Sequence, residues 1–241
     1  MLEHVLPFIP VDSEVFIEAF CGSCAVTINL LQTRPNHFKH IICSDINKDL
    51  INFWNYVKES PSTFKTELEK FVQEHTLLEI NSKEPLDTDL ENLIRFYIKV
   101  TYAPMCCINK DVHESAYDAL KRGVFNKRLN SIEKLSDILK PVEFIHCSYK
   151  DSIEKAVGYN LKTCCFADPP YKVDFLEENM WYGNDLVDLA DLHTALITCD
   201  NFIVSHSEDE IFEIIFREYR GKLIEIESNF GWSRREVYKY K

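Results

Sequence analysis

A carboxylate, two prolines and an aromatic ring stand together in the run Asp168-Pro169-Pro170-Tyr171. The apolar residues 163–167 before it predict a buried strand that ends at Asp168. Two prolines fix φ and cannot donate to a sheet ladder, so the chain should leave the sheet rigidly. Their carbonyl oxygens and the carboxylate form a set of acceptors suited to a substrate NH₂ group, and Tyr171 could stack on a planar base. The alternative interpretation is an acidic turn with a packing aromatic residue.

A second candidate site begins at Glu18-Ala19-Phe20-Cys21-Gly22-Ser23. Residues 15–20 predict a strand, and the small residues after it predict a turn into a helix over 25–31. Such a turn lets the backbone approach a cofactor closely and presents helix N–H groups to it. Asp45 directly follows the next predicted strand, 40–44, where an acidic side chain can accept hydrogen bonds from ribose hydroxyls. Together they are equally compatible with an adenosine-containing cofactor and with an ordinary turn followed by an acid that stabilises a helix dipole.

Strands alternate with helices along most of the chain, which predicts an α/β fold with a Rossmann-like, doubly wound, mostly parallel sheet. Later strands are predicted at 142–147 and 202–205, later helices at about 185–196 and 208–219, and a closing antiparallel hairpin at 223–227 and 235–240. Ligands of such sheets bind at the carboxyl ends of the strands. Phe20, Asp45 and Asp168 all fall at such ends.

From Pro61 to about Lys140 the pattern changes to helical periodicity with irregular stretches. We therefore predict a catalytic domain formed by residues 1–60 and 141–241, with an inserted, mainly helical subdomain at 61–140. A helix is also predicted from Asn47, its N-cap, because apolar residues recur there at three- and four-residue spacing.

The bulk composition narrows the class of protein. With 241 residues, 46% hydrophobic and 27% charged, the chain is typical of a globular protein. It has no apolar run of about 18 residues that predicts a membrane span and no segment typical of a signal peptide at its first residues. We expect a cytoplasmic protein that does not bind membranes. Nine cysteines, an odd number, do not suggest a disulfide framework. Cys21 and Cys24 form one C-x-x-C, which we interpret as filling a turn rather than binding metal or acting in redox chemistry, so no metal site is predicted.

Two clusters of basic residues are candidates for contact with nucleic acid. The first consists of Lys121, Arg122, Lys127 and Arg128 in the insertion. The second consists of Arg234, Arg235, Lys239 and Lys241 at the end of the chain, of which Arg234 and Arg235 are the candidate contacts. The net charge of −12 counts against a basic DNA-binding protein, but binding depends on the local field rather than on the total. The alternative for each cluster is solvated surface charge.

These motifs resemble those of the Dam-type adenine-N6 DNA methyltransferases (D12 class, α group), which are found in bacteria and phages. The matching stretches are FIEAFCGS at 16–23, SDINKDLIN at 44–52 and ADPPY at 167–171, with weaker matches at CSYKD (147–151), SHS (205–207) and RREVY (234–238). The resemblance implies S-adenosylmethionine as cofactor and DNA as partner.

The resemblance also assigns roles to individual residues. The implied cofactor-binding set is Glu18, Phe20, Gly22, Ser23, Asp45, Ile46 and Asp168. Asp168 and the Pro169 carbonyl would accept hydrogen bonds from the N6 amino group of adenine. Tyr171, after Pro170, would stack on the extruded base, and Trp181 or Tyr182 could add to this stacking. The insertion would be the target-recognition domain.

Two features of the family pattern are not matched. A Gly-Gly-Lys segment usually precedes the first strand, where this sequence has Met1-Leu2-Glu3-His4. The basic, glycine-containing recognition hairpin is only faintly echoed at 101–105 and 123–126. The alternatives are cytosine-N4 methylation, methylation of adenine in RNA, and a non-catalytic relative that binds cofactor or nucleic acid. The oligomeric state is not indicated by the sequence.

Overall fold

The computed structural model describes residues 5–103, 110–123, 126–170, 187–207, 209–227 and 233–241, with 126–131, 222–227 and 233–236 described by their backbone alone. They group into two compact units. The first contains the residues up to Asn47 together with Pro141–Lys241, and the second is Lys48–Lys140.

The strands all lie in the first unit. They are β1 (Val15–Glu18), β2 (His40–Asp45), β3 (Val142–His146), β4 (Thr163–Ala167), β5 (Asn201–Ser207), β6 (Arg220–Glu227) and β7 (Ser233–Tyr240). The helices, in chain order, are α1 (Ala25–Thr33), α2 (Lys48–Glu59), α3 (Pro61–Glu74), α4 (Leu77–Asn81), α5 (Asp89–Tyr102), α6 (Glu114–Lys121), α7 (Asn126–Leu139), α8 (Tyr149–Val157), α9 (Leu189–Leu196) and α10 (Glu210–Ile215).

Among the described residues, seven strands form one sheet in the order β3-β2-β1-β4-β5-β7-β6. The strands from β3 to β5 pair in parallel, whereas β7 runs antiparallel to both β5 and β6. This confirms the predicted Rossmann-like sheet with an antiparallel C-terminal pair. The sequence does not indicate which strand of this pair is inner. In the structure β7 lies between β5 and β6, and β6 forms the edge of the sheet.

Helices cover both faces of the sheet. Side chains alternate between the faces of a strand, and Val15 and Ile17 of β1 belong to a core cluster that also contains residues of α8, α9 and α10. The intervening Glu18 points to the other face, where it contacts Thr27 of α1. The sheet is therefore doubly wound, and all four side chains of β1 are buried.

Helix α8 is absent from the sequence-based prediction, although the chain carries its start signal. The Ser148 hydroxyl accepts a hydrogen bond from the Asp151 N–H at 3.2 Å, and the Asp151 carboxylate accepts from the Ser148 N–H at 3.3 Å. This reciprocal pair is a capping box. Helix α10, in contrast, ends at Ile215 rather than Tyr219, because β6 already begins at Arg220 and the chain must turn before it.

The described elements of the second unit are all helical. The apolar face of α2 carries Phe53, whose ring stacks on Tyr97 of α5 at 5.3 Å between centroids and meets Phe64 of α3 at 5.6 Å. Because its apolar face is buried against these helices, α2 groups with the second unit, whereas the sequence suggested a boundary at 60/61. Across the described residues, no helix combines the length and apolar character needed to cross a membrane.

Candidate active site

Three of the predicted site segments lie at neighbouring positions of the sheet. β2, β1 and β4 are adjacent and parallel, so their carboxyl ends lie at the same edge of the sheet. This edge carries the turn after β1, Asp45 at the end of β2, and Asp168 after β4. Backbone hydrogen bonds join the turn after β1 to both neighbouring strands, β4 and β2. The Ala19 N–H donates to the Phe166 carbonyl at 3.0 Å, and the Cys21 N–H donates to the Ser44 carbonyl at 2.9 Å.

The turn after β1 depends on a left-handed backbone. Gly22 has φ +44° and Cys24 has φ 53°, a region in which glycine carries no steric penalty. A Cβ placed on Gly22 would meet no atom within 4 Å. The backbone at Gly22 therefore faces open space, and Ser23 beside it is exposed. Both features suit close approach of a cofactor.

The C-x-x-C cysteines fill the inside of this turn. Cys21 and Cys24 are both buried, and every cysteine that the structure describes is a free thiol. Burial raises the pKa of the Cys24 thiol well above its usual value, which keeps it protonated. In the described part of the chain, no group of histidine, cysteine or acidic side chains is arranged to hold a metal ion.

Asp45 joins the turn to its own strand end. One carboxylate oxygen accepts from the Gly22 N–H at 3.2 Å, and the other accepts from the Asn47 N–H at 2.9 Å. Burial raises the pKa of Asp45, although these backbone donors and the nearby His146 oppose the shift. The next residue, Ile46, is 73% exposed. An acid with an exposed aliphatic side chain beside it offers both a polar and an apolar contact to a nucleoside.

Glu18 lies inside the unit rather than on the surface of the turn. Its side chain is 3% exposed and accepts hydrogen bonds from the backbone N–H of Thr27 at 2.9 Å and from the Thr27 hydroxyl. Burial raises the pKa of Glu18 to about 7, against these hydrogen bonds, and the charge of Asp168 adds to the rise. This placement fits a role in holding the start of α1 better than direct contact with a cofactor.

Phe20 has an aromatic neighbour that the sequence did not single out. Its ring lies 5.3 Å from that of Tyr149 at the start of α8, at an angle of 30°. Both rings are half-buried. They place an aromatic surface beside the turn, and the capping box of α8 is the sequence signal that could have located Tyr149.

Asp168 is half-buried and directly follows β4. The Ser205 hydroxyl of β5 donates to its Oδ1 at 2.6 Å. Pro169 is buried and Pro170 half-buried. Tyr171, together with Trp181 and Tyr182, lies outside the described residues.

The basic clusters are described only in part. Lys121, at the end of α6, and Arg122 are both exposed, and the Lys121 ammonium lies 4.7 Å from the centre of the Tyr117 ring. Lys127 and Arg128 lie on α7, and Arg234 and Arg235 lie on β7. The side chains of these last four residues lie outside the described part of the structure.

Comparison with known proteins identifies the family. A sequence model of the D12 class N6 adenine-specific DNA methyltransferases matches residues 1–230. The chain is 27% identical to the type II methyltransferase M.MjaIII of Methanocaldococcus jannaschii over 65% of this chain and 58% of that protein. It is 24% identical to a DNA adenine methylase of Vibrio cholerae over 71% of this chain and 61% of that protein. These alignments span about three-fifths of the length of each relative.

A solved structure, the rRNA methyltransferase aviRa of Streptomyces viridochromogenes, is similar with a TM-score of 0.45 and 14% identity over 99% of this chain and 81% of that one. The family assignment rests instead on the sequence match, which includes the turn after β1, Asp168 and β6 and ends at residue 230, before β7. The chain belongs to the family of D12 class N6 adenine-specific DNA methyltransferases.

Proposed function

We propose that this chain transfers a methyl group from S-adenosylmethionine to N6 of adenine in DNA. The observation that carries the proposal is the placement of Asp168. Asp168 is half-buried and follows β4, which is the neighbour of β1 and its Gly22 turn. Asp45 ends β2, on the other side of β1, at the same edge of the sheet. Family membership supplies the class of reaction.

The residues present fit the cofactor. The open space before Gly22 admits a ligand close to the backbone, and Asp45 can accept hydrogen bonds from ribose hydroxyls. The same turn as Gly22 also contains Phe20 and Ser23, and Ile46 directly follows Asp45. When bound, S-adenosylmethionine supplies an electrophilic methyl group on its sulfonium centre.

Asp168 and the Pro169 carbonyl act on the amino group. The lone pair of adenine N6 is delocalised into the ring, which makes this nitrogen a poor nucleophile. Two acceptors that bind its N–H groups favour a pyramidal nitrogen with an available lone pair. The negative carboxylate stabilises the positive charge that develops on nitrogen, so it acts mainly on the transition state.

The target base must leave the DNA duplex to reach this edge. Extrusion costs a few kcal/mol of stacking and pairing, and stacking on Tyr171 would offset roughly 1–3 kcal/mol of it. We assign target recognition to the helical second unit, with Lys121, Arg122, Lys127 and Arg128 as phosphate contacts, and further contacts to Arg234 and Arg235.

We further propose a cytoplasmic location and, by analogy with the type II relative, modification of a specific sequence in a restriction–modification pair.

Mass analysis of nucleosides tests the function directly. DNA treated with the protein and S-adenosylmethionine should contain N6-methyladenine. The Asp168→Ala variant should produce none and keep its circular dichroism spectrum, and the exposed Glu154→Gln variant on α8 should stay active. N4-methylcytosine, or methylation of RNA alone, would assign a different substrate. Binding of S-adenosylmethionine in a calorimeter without any methylation would indicate a non-catalytic relative, and an active Asp168→Ala enzyme would refute the mechanism.

A further inference from the structure

The strand beside Asp168 brings a hydroxyl to its carboxylate. β4 and β5 pair in parallel with Ala167 opposite Val204, so the next residues along the two strands are Asp168 and Ser205. The Ser205 Oγ lies 2.6 Å from Asp168 Oδ1. Hydroxyl–carboxylate hydrogen bonds fall at about 2.5–2.7 Å when the acceptor is ionised. The distance is therefore that of a charge-assisted bond.

Ser205 is itself held firmly. Its side chain is 1% exposed, and β5 is paired on both sides, with β4 on one and β7 on the other, where Ser205 lies opposite Tyr238. The Ala167 carbonyl lies 3.4 Å from the same hydroxyl. A donor in such a position restricts the orientation of any group that accepts from it.

Ser205 follows an apolar stretch of β5. The preceding residues of β5, Phe202, Ile203 and Val204, are apolar and buried, and an apolar side chain would also fill a strand position of this kind. A buried hydroxyl costs free energy unless it is hydrogen-bonded. The bond to Asp168 meets that cost, which ties the presence of the hydroxyl to the carboxylate.

We propose that Ser205 is a positioning residue that fixes the Asp168 carboxylate in the orientation in which it binds the substrate amino group. The inference rests on the proposed function and deepens it. A carboxylate has about four lone-pair sites, so accepting a hydrogen bond from Ser205 is compatible with accepting one from an N–H group. Ser205 acts through Asp168 and does not itself contact the substrate.

The test compares steady-state kinetics of Ser205→Ala with those of wild type. Loss of orientation should lower kcat by about 10- to 100-fold, since a misplacement near 1 Å costs about that much in rate. The KM values for DNA and S-adenosylmethionine should stay within about twofold, because the bond positions a group for the reaction step. Ser205→Thr keeps the hydroxyl and should recover most of kcat.

The opposite end of the neighbouring strand, β4, supplies a matched control. The Thr163 hydroxyl, also buried, donates to the Asp200 carboxylate at 3.2 Å. Thr163→Val removes this hydroxyl–carboxylate bond at the opposite edge of the sheet and should leave kcat unchanged. If Ser205→Ala does not fold, Ser205→Cys keeps the size of the side chain with a weaker donor and should show the same selective loss of kcat.

The outcomes separate the inference from the function on which it rests. A Ser205→Ala enzyme with the kcat of wild type would overturn the positioning role alone. An equal loss of kcat in Thr163→Val would do the same, since it would show a general effect on the paired strands β4 and β5. A wild-type chain that methylates no DNA would overturn the proposed function, and the positioning role with it.

Discussion

Thr27 donates two hydrogen bonds to the carboxylate of Glu18, one from its backbone N–H and one from its hydroxyl. The pair joins the end of β1 to the first turn of α1, directly beneath the turn that carries Gly22. The Thr27 hydroxyl also lies 3.1 Å from the Cys43 sulfur of β2. The buried side of the candidate cofactor turn is therefore a polar cluster, and its charge depends on whether the Glu18 carboxyl is protonated.

Stability should fall as the pH rises through the range in which Glu18 ionises. The folded-state pKa is about 7, above the ordinary value of 4.5, so between these values the folded protein holds a proton that the unfolded chain has lost. Stability is then higher at pH 5 than at pH 8, by about 3 kcal/mol, since one pKa unit corresponds to about 1.4 kcal/mol. Urea unfolding at both pH values measures this. The Glu18→Gln variant should lose the dependence, and parallel curves for variant and wild type would contradict the assignment.

Removing the Thr27 hydroxyl should move this pH range upward. Both hydrogen bonds from Thr27 lower the pKa of Glu18, so Thr27→Val, which keeps the shape and the backbone N–H, should raise that pKa further. The fall in stability would then occur at higher pH than in wild type, as followed by urea unfolding across a pH series. Thr33→Val, at the far end of α1, serves as control. A downward shift in Thr27→Val would show that the hydroxyl does not stabilise the carboxylate.

Gly22→Ala should destabilise the protein through its backbone rather than through a clash. Nothing lies within 4 Å of the added Cβ, but φ of +44° costs an L-residue roughly 1–2 kcal/mol. Asparagine tolerates this region better, so Gly22→Asn should lose less stability. Its longer side chain enters the space before the turn, so it should weaken binding of S-adenosylmethionine at least as much as alanine does. Thermal unfolding ranks the stability of the two variants, and calorimetry ranks their affinity for S-adenosylmethionine. Equal stability of the two variants would contradict the backbone argument.

Asp45→Asn should weaken cofactor binding more than it weakens the fold. The amide has one carbonyl oxygen, so it cannot accept from both Gly22 and Asn47 as the carboxylate does and also bind ribose hydroxyls. Loss of one charge-assisted bond costs about 1.5–3 kcal/mol, which predicts a Kd for S-adenosylmethionine that is about 10- to 100-fold higher by calorimetry. Glu154→Gln removes one negative charge from an exposed position of the same unit and should bind normally. An unchanged Kd in Asp45→Asn would exclude this residue from the cofactor site.

Local patterns were sufficient to predict much of the sheet and the ends of its strands. β4 was predicted with its observed bounds, and the segments containing Phe20, Asp45 and Asp168 leave the same edge as expected. Apolar runs closed by turn residues and acids carry this information locally. Helix α8 lies outside this prediction, although Ser148 and Asp151 form its start signal.

The contacts that complete the candidate site could not be predicted in this way. Ser205 reaches Asp168 only because β5 pairs with β4, and Thr27 reaches Glu18 only because α1 packs on the sheet. Both contacts depend on tertiary pairing, which periodicity does not encode. The partners of α2 are set in a similar way, since its amphipathic pattern shows that one face is buried but not which elements bury it.

The position of β7 has a consequence for the order in which the protein can assemble. β6 precedes β7 in the chain, yet among the described strands it pairs with β7 alone, on the side away from β5. During synthesis β6 therefore has no partner strand until the residues up to Tyr240 have emerged, and until then β5 presents an unpaired edge. Because β5 carries Ser205, the support of Asp168 becomes complete only at this late step, and a chain interrupted within β7 would lose two strands at once.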